Sequence, residues 1–425
     1  MKDFLTLDDF NPEGKKVLVR VDINASIENG QVQDSERMEA HARTLEKLSD
    51  KGARVIVLAH QGRPEDSDLL PLEQHAKILG KHLRRRVKYV DDLMGSKAKN
   101  EIRKLKDGKI ILLENVRFLA EEQLDGTKKP FEKTLFVQTL SKVCDVFVND
   151  AFSAAHRAQT SLIGFSRTLP AYAGRVMENE YRAIKSASLE AKRPSIYLLG
   201  GGKPQEALDL MAHFLQQGQA DKILTSGVLG ELCLIAKGKR LGSKEKWLEE
   251  QKFTSFLPKV KILMEKYGDL IDVPGDFAYK DKEGFRVEVT IEEMPNLEVP
   301  VFDIGMNTAQ AYAREIRQAK TVYLKGPVGA YEQNPFELGT RTILKAMTEC
   351  KGFTLIGGGH TTTAMQKFGF SPKKYSHVSV AGGALLAMLC GKPLPAIDAL
   401  KESARRIGYE SANSAPLTSD SEASG

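Results

Sequence analysis

Short apolar runs alternate with amphipathic stretches along most of the chain. In the first half these runs read KVLVRVDIN, ARVIVLAH, KIILLENV and DVFVND, and they are rich in β-branched residues. Between the first two runs, Met38, Ala42 and Leu45 recur at the spacing of one helical face. Strands that alternate with helices are typical of a parallel sheet covered by helices. The pattern therefore predicts a series of strand–helix units in this half.

The alternation resumes in the second half, where the apolar runs end at or near glycine. These runs read SIYLLGGG, DKILTSG, KTVYLKGPVG, FTLIGGG and SHVSVAGGA. Just before them, Met177, Tyr181 and Ile184 lie on one face of a predicted connecting helix. Pro194 prevents that helix from continuing. Residues 244–300 are less regular, and we expect a charged helical segment around Trp247 and a turn region at DVPGDFAYKDKEG.

The fold class that this pattern predicts is α/β, with two doubly wound, Rossmann-like parallel-sheet domains joined by a hinge helix. The expected parts are an N-terminal domain over 1–172, the hinge helix over 173–192, a C-terminal domain over 193–392, a helical segment over 393–410 and a disordered tail over 411–425.

Composition narrows the class of protein further. The chain has 425 residues, of which 41% are hydrophobic and 28% charged, as in globular proteins with sizeable cores. The net charge of +6 favours small anions but is too diffuse to indicate nucleic-acid binding, and the basic run KHLRRRVKYV is interpreted as a solvated helix end. The four cysteines lack metal-type spacing, and nothing resembles a signal peptide or a membrane span. We expect a cytoplasmic protein.

Polar residues follow the predicted strands of the first half, at the sheet edge where ligands bind in open parallel sheets. A single loop arginine is often merely solvated, but several arginines at equivalent positions favour a shared site. Guanidinium groups match the geometry of carboxylate and phosphate, so this set predicts a small polyanion with one or both groups. The residues concerned are Asp22, Asn24, Arg37, His60, Arg63, Arg117, His156 and Arg157.

Glycine clusters occupy the corresponding positions in the second half, at 198–203, 325–329, 356–361 and 381–384. Glycine allows backbone amides to approach an anion, and a following helix presents its positive end. None of the clusters is a Walker A loop. None is a full GxGxxG dinucleotide fingerprint either, and the lack of that fingerprint disfavours an oxidoreductase. Together with Lys203 they predict a nucleotide phosphate site, with Glu332 as a candidate for a ribose hydroxyl. A small polyanion on one domain that faces a nucleotide on the other fits phosphoryl transfer, a reaction that depends mainly on positioning and on stabilisation by cations.

Several motifs resemble those of the phosphoglycerate kinase family in order and spacing, over roughly residues 5–400: VRVDIN, LAHQGRP, LLENVRF, NDAFSAAHR, LGGGK, KGPVGAYE, IGGGHT and LPAIDAL. The archaeal branch is the most similar. The resemblance implies reversible transfer of the γ-phosphoryl group of ATP to the carboxylate of 3-phosphoglycerate, giving 1,3-bisphosphoglycerate and ADP in glycolysis or gluconeogenesis. The carboxylate would itself be the nucleophile, and Mg²⁺ would enter with the nucleotide rather than on dedicated protein ligands.

The same resemblance assigns roles to individual residues. The catalytic residues would be Arg37 and Lys203. The residues that bind the acid would be Asp22, Ile23, Asn24, Arg37, His60, Gln61, Gly62, Arg63, Arg117 and Arg157. The residues that bind the nucleotide would be Gly201, Gly202, Lys203, Gly326, Pro327, Glu332, Gly357, Gly358, Gly359, His360 and Thr361.

The chain departs from the family pattern mainly on the nucleotide side. His360 replaces an aspartate and Ala207 a second lysine, as in the archaeal branch. Lys325 replaces an asparagine, and Val380 and Ala381 replace a hydroxyl residue and a glycine. Neutral drift and an altered rate or donor specificity are both open for these changes. Besides an active kinase, a paralogue with another substrate and a non-catalytic phosphoglycerate sensor are therefore alternatives.

Overall fold

A computed structural model describes residues 3–124, 126 and 129–408 of the protein. Its described residues form two compact units, the first running to Asn179 and resuming at Pro393, the second comprising Glu180–Lys392. The expected tail over 411–425 lies outside the described residues. Among the described helices, none is long and apolar enough to cross a membrane.

The first unit is built on a parallel sheet with the strand order β5-β6-β4-β1-β7-β8. A short antiparallel hairpin, β2-β3, lies apart from it. Its strands are β1 (Lys16–Arg20), β2 (Ile27–Glu28), β3 (Gln31–Val32), β4 (Arg54–Leu58), β5 (Val87–Val90), β6 (Ile110–Leu113), β7 (Val146–Asn149) and β8 (Ala171–Ala173). Its helices are α1 (Glu36–Asp50), α2 (Glu73–Leu83), α3 (Ser96–Lys104), α4 (Leu135–Ser141) and the first part of α5 (Arg175–Ala187).

The central strands form because their apolar side chains are buried on both faces of the sheet. Val17, Val19, Val55 and Val57 belong to one core cluster with the apolar face of α1, as the sequence pattern predicts. The basic run KHLRRRVKYV is only partly a helix end: α2 stops at Leu83, and the rest of the run enters the edge strand β5. Short edge strands commonly carry charged residues, so a search for apolar runs does not find such strands.

The second unit contains a parallel sheet with the strand order β11-β10-β9-β15-β16-β17, the arrangement of a doubly wound dinucleotide-binding fold. Its strands are β9 (Ser195–Leu199), β10 (Lys222–Thr225), β11 (Ile271–Asp272), β12 (Asp276–Lys280), β13 (Arg286–Thr290), β14 (Val301–Ile304), β15 (Thr321–Lys325), β16 (Phe353–Gly357) and β17 (His377–Val378). Its helices are the rest of α5, α6 (Pro204–Gln216), α7 (Gly227–Ala236), α8 (Ser243–Glu250), α9 (Leu257–Tyr267), α10 (Met306–Gln318), α11 (Leu338–Glu349), α12 (Gly359–Lys367) and α13 (Gly383–Leu389).

The irregular region of the second unit contains more order than its sequence pattern indicates. The charged helical segment around Trp247 is α8, as expected. The expected turn region, in contrast, contains β12, which pairs with β13 and β14 in an antiparallel sheet. Phe277 and Ala278 of β12 are buried, but the flanking charged residues break the apolar run on which strand prediction depends.

The last helix, α14 (Pro395–Arg406), returns to the first unit. It packs against β8, where the Ser403 hydroxyl accepts a hydrogen bond from the Ala171 amide at 3.0 Å. α14 lies within the range 393–410, over which the sequence predicts a helical segment. The two parallel sheets confirm the predicted α/β class, while the hinge role of residues 173–192 stays a prediction.

Candidate functional site

The first group of candidate residues lies where neighbouring strands of the first sheet end. β1 pairs in parallel with β4 on one side and with β7 on the other, so their carboxyl ends meet at one edge. Asp22 follows β1, His60 follows β4, and Asp150 follows β7. From β1 the chain first winds to β4 on one side and later crosses to β7 on the other side, and such switch points form ligand crevices in open α/β sheets.

Asp22 is the centre of this group. It is buried, and its Oδ2 lies 3.2 Å from Nη1 of Arg37 and accepts a hydrogen bond from the Ser153 hydroxyl. Its Oδ1 accepts a bond from the Asn24 amide at 3.1 Å. Burial alone would raise the pKa of Asp22, but the Arg37 guanidinium and the hydrogen bond from the Ser153 hydroxyl hold that pKa below its usual range. A carboxylate fixed in this way can accept a hydrogen bond from a ligand hydroxyl.

His60 is held as a neutral ring by a residue that the sequence analysis missed. Arg20, at the end of β1, is buried and directs its Nη2 to Nδ1 of His60 at 3.1 Å. A guanidinium only donates, so Nδ1 accepts and the ring proton lies on Nε2, from which it can be donated to an anion. Burial lowers the pKa of His60 to about 3.

Further guanidinium groups surround these residues. Arg117 is buried and donates from Nη1 to the Gly62 carbonyl at 2.5 Å. Burial lowers the pKa of Arg117, and the nearby charges of Arg157 and Arg20 lower it further. Several guanidinium groups so close together form a region of positive charge that attracts an anion.

Not every predicted side chain of the first unit has access to a ligand. Ile23 is buried in the apolar core, and the Gln61 side chain is buried in hydrogen bonds to Ala25. Gly62 has a left-handed backbone with φ of +70°. Arg63 is exposed. Ile23 and Gln61 can therefore contribute only through their backbones.

The second group of candidate residues lines a cleft of about 780 Å³ in the second unit, large enough for a nucleotide. The predicted residues that line it are Gly201, Gly202, Lys203, Gly326, Pro327, Glu332, Gly358, Gly359, His360 and Thr361. Gly357 does not line the cleft because it ends β16 beneath Tyr323 and Leu385. Trp247, Phe302 and Val328 form apolar parts of the cleft wall.

Backbone geometry at the switch point between β9 and β15 explains the glycines. Gly326 has a φ of +80°, and an added Cβ would clash with the carbonyl of Gly200. The amide of Gly326 donates to the Thr361 hydroxyl at 3.0 Å, which ties this turn to the start of α12. The cleft thus receives the N-terminus of α12, which favours an anion.

Side-chain charges in this cleft have mixed signs. The exposed His360 lies with Nδ1 3.6 Å from a carboxylate oxygen of Glu332. Lys325, which the sequence analysis named as a departure on the nucleotide side, and Glu206, which it did not name, also line the cleft. Val380 and Ala381 do not line it in the described structure, and the Val380 amide donates to Glu180 at 2.9 Å.

Magnesium, the metal expected with a nucleotide, fits this donor set only in part. The described residues contain no group of three or more His, Cys, Asp or Glu side chains arranged around one metal position. Glu206 and Glu332 nevertheless bring separate carboxylates to the cleft. Mg²⁺ commonly binds nucleotide phosphates and water with one or two carboxylates, and the exposed carboxylate of Glu332 suits such an ion, whereas Glu206 is already paired with Lys325.

A crevice of arginines on one doubly wound unit and a glycine-lined cleft on another define an α/β protein with sites suited to small anions and nucleotides. The family model described as phosphoglycerate kinase matches residues 7–392. The phosphoglycerate kinase of Methanothermobacter thermautotrophicus is 43% identical over 94% of this chain and 97% of its own length. That of Sulfurisphaera tokodaii is 40% identical over 93% and 95%.

Solved structures agree with these relatives. The crystal structure of phosphoglycerate kinase from Pyrococcus horikoshii OT3 aligns with a TM-score of 0.85 and 34% identity, covering 95% of this chain and all of that one. The structure of the enzyme from Coxiella burnetii gives a TM-score of 0.77 and 29% identity over 94% and 99%. The chain belongs to the phosphoglycerate kinase family, and it is therefore a kinase.

Proposed function

We propose that the protein catalyses reversible transfer of the γ-phosphoryl group of ATP to the carboxylate of 3-phosphoglycerate, giving 1,3-bisphosphoglycerate and ADP. The observation that carries this proposal is the cluster of guanidinium groups around Asp22 and His60. Such a cluster suits a ligand with both a phosphate and a carboxylate. The nucleotide would bind in the glycine-lined cleft, and the match to the family supports this assignment.

The acid would be held and oriented by residues of the first unit. Arg117 and Arg157 would bind anionic groups, while neutral His60 would donate from Nε2. Asp22 would accept a bond from the substrate hydroxyl, and Arg37 would place positive charge beside the carboxylate. The ionised carboxylate attacks the γ-phosphorus, and the electron pair of the broken P–O bond leaves with ADP, so no general base is needed.

The nucleotide would be held through backbone amides at the start of α12, near Gly358, and through Lys203, while Gly326 would shape the turn beside them. Bound Mg²⁺ neutralises charge on the nucleotide phosphates. The ribose contact of Glu332, the hinge over residues 173–192 and the cytoplasmic location stay predictions from the sequence.

A coupled assay with purified protein, Mg-ATP and 3-phosphoglycerate tests the proposal. We expect turnover, and we expect Arg117→Ala to raise the KM for 3-phosphoglycerate at least about tenfold because a buried charge-assisted contact is lost. Tight binding of 3-phosphoglycerate without any turnover would instead indicate a sensor. Turnover with a different phosphorylated acid alone would indicate a paralogue, and either result would contradict the proposal.

A further inference from the structure

Lys325 occupies a fixed position at the centre of the second sheet. It is the last residue of β15, in register with Leu199 of β9 and Gly357 of β16. Its carbonyl accepts a hydrogen bond from the Gly200 amide at 2.8 Å. The base of its side chain is therefore held at the switch point, between the two glycine turns that line the cleft.

The side chain of Lys325 is 8% exposed, and it lines the cleft. Lysine is seldom buried to this extent unless it is paired. In the part of the chain that the structure describes, its Nζ makes one ion pair, at 3.2 Å to Oε2 of Glu206. An ammonium has three N–H donors, so one carboxylate oxygen leaves donors for a ligand in the cleft.

Glu206 lies close to two lysines, Lys325 and Lys203. It lies in the first turn of α6, and its Oε1 is 3.8 Å from Nζ of the exposed Lys203. Burial lowers the pKa of Lys325, and the charge of Glu206 opposes this shift. A carboxylate repels phosphates, so its presence in a phosphate cleft calls for a compensating role. Here that role is to neutralise and orient a buried lysine before a phosphate arrives.

We propose that Lys325 is a catalytic residue that contacts the phosphoryl group during its transfer, and that Glu206 is a positioning residue that holds Lys325 until phosphate takes its place. This inference rests on the proposed function. A buried cation is little screened by water, so it stabilises charge that develops on the transferred oxygens more than an exposed lysine does. No bond to Lys325 forms or breaks.

The first test replaces the charge while keeping the length of the side chain. Lys325→Met is expected to lower kcat about 100-fold or more, with the KM for ATP changed less than about threefold. Lys222→Met is the matched control: Lys222 is also partly buried and pairs with Asp272 and Glu315, but it does not line the cleft. Its kcat is expected to stay within about twofold of wild type.

A second variant separates catalysis from folding. In Lys325→Ala, added methylammonium is expected to restore part of kcat in a saturable way, because a small cation can occupy the vacated position. A purely structural lysine would give no such rescue. Binding of ADP, measured by calorimetry, reports in each variant whether the cleft is still formed. The proposed role of Lys325 would be overturned if Lys325→Ala bound ADP and kept the kcat of wild type. It would also be overturned if this variant lost kcat and methylammonium did not restore any of it.

Glu206→Gln tests the positioning role. Its Kd for ADP is expected to fall at least about threefold because a repulsive charge is removed, while the Mg²⁺ concentration at half-maximal rate stays the same. A markedly higher Mg²⁺ requirement would make Glu206 a metal ligand and overturn this role. An inactive wild-type protein would contradict the proposed function, whereas an active wild type with an equally active Lys325→Met variant would contradict only the present inference.

Discussion

Arg37 shows how local sequence places a single side chain for chemistry. Ser35 caps α1 by accepting a bond from the Met38 amide at 3.3 Å, which puts Arg37 in the first turn beside Asp22. We expect Arg37→Ala to lower kcat about 100-fold or more and to raise the KM for 3-phosphoglycerate only a few-fold, since its charge acts mainly in the transition state. Steady-state kinetics with both substrates varied will measure this.

The control for Arg37 lies in the same helix. Arg43 pairs with Glu39 one turn away, and its side chain is 72% exposed. Arg43→Ala is expected to leave both constants within about twofold of wild type. If Arg37→Ala raised KM alone and left kcat unchanged, Arg37 would be a binding residue only.

His75 gives a prediction about stability and pH. Its ring is buried, Nε2 donates to Gln61 at 3.0 Å, and Nδ1 has no hydrogen-bond partner among the described residues. Burial lowers the pKa of His75 to about 4. The unfolded chain takes up this proton near pH 6.5 and the folded chain does not, so the free energy of unfolding falls as pH drops from about 6.5 towards 4. The whole effect is at most about 3 kcal/mol.

Urea unfolding between pH 4.5 and 7.5 can test this contribution. We expect His75→Gln, which keeps a donor for Gln61 but does not titrate, to lose less stability over this interval than wild type. Equal pH dependence in the two proteins would show that His75 charges as readily when folded as when unfolded.

The sequence places candidate residues correctly at strand ends where their position along the chain decides this, while their roles in binding stay predictions. Arginines and glycines just after strands could be named because parallel strands bring those positions to one edge. Arg20 and Glu206 were missed for a different reason. Arg20 is part of an apolar run, and its Nε donates to Ser161, 141 residues away. The role proposed for Glu206 depends on its ion pair with the buried Lys325. Such long-range pairs leave no local signal.

At the scale of elements, the turn after β15 depends on close approach to the turn after β9. Gly326 combines a left-handed backbone with contact to Gly200. We expect Gly326→Ala to lower the free energy of unfolding by about 2 kcal/mol or more and to weaken ADP binding, because both the backbone angle and the space are unsuitable for a side chain. Denaturant unfolding and calorimetry provide the two measurements.

Gly202 is the matched control for this turn. It lines the same cleft, but an added Cβ would have no atom within 4 Å. Gly202→Ala is therefore expected to change the free energy of unfolding by less than about 0.5 kcal/mol. Similar losses in the two variants would mean that general loop flexibility, rather than close backbone approach, accounts for the glycines.

Elements were predictable where burial produced a continuous apolar run. The central strands β1, β4, β9 and β15 are covered on both faces and could be read directly. β5 and β12 could not, because charged residues flank or interrupt their buried positions. Short strands of this kind depend on pairing with neighbours, and that pairing is a property of the sheet and not of the local sequence.

At the scale of the whole molecule, the order of the elements along the chain does not show which of them belong to the same compact unit. The pattern near the C-terminus predicts a helix, but not that α14 belongs to the first unit. The contact between Ser403 and Ala171 joins residues 232 apart in sequence, and Arg406 donates to the Leu169 carbonyl at 2.8 Å. The first unit is therefore discontinuous in sequence, and its stability depends on the last helix.

This dependence predicts a selective effect of a core change in α14. Leu400 is fully buried, so Leu400→Ala should destabilise the first unit by about 2–5 kcal/mol. Hydrogen exchange should accelerate in β1, β7 and β8, whereas exchange in β9 and β15, and the Kd for ADP, should stay unchanged because the second unit has its own core. The exposed Glu402, changed to alanine, should alter neither unit. Equal acceleration in both sheets would mean that the two units unfold as one cooperative structure, since only then would the lost packing of α14 reach β9 and β15.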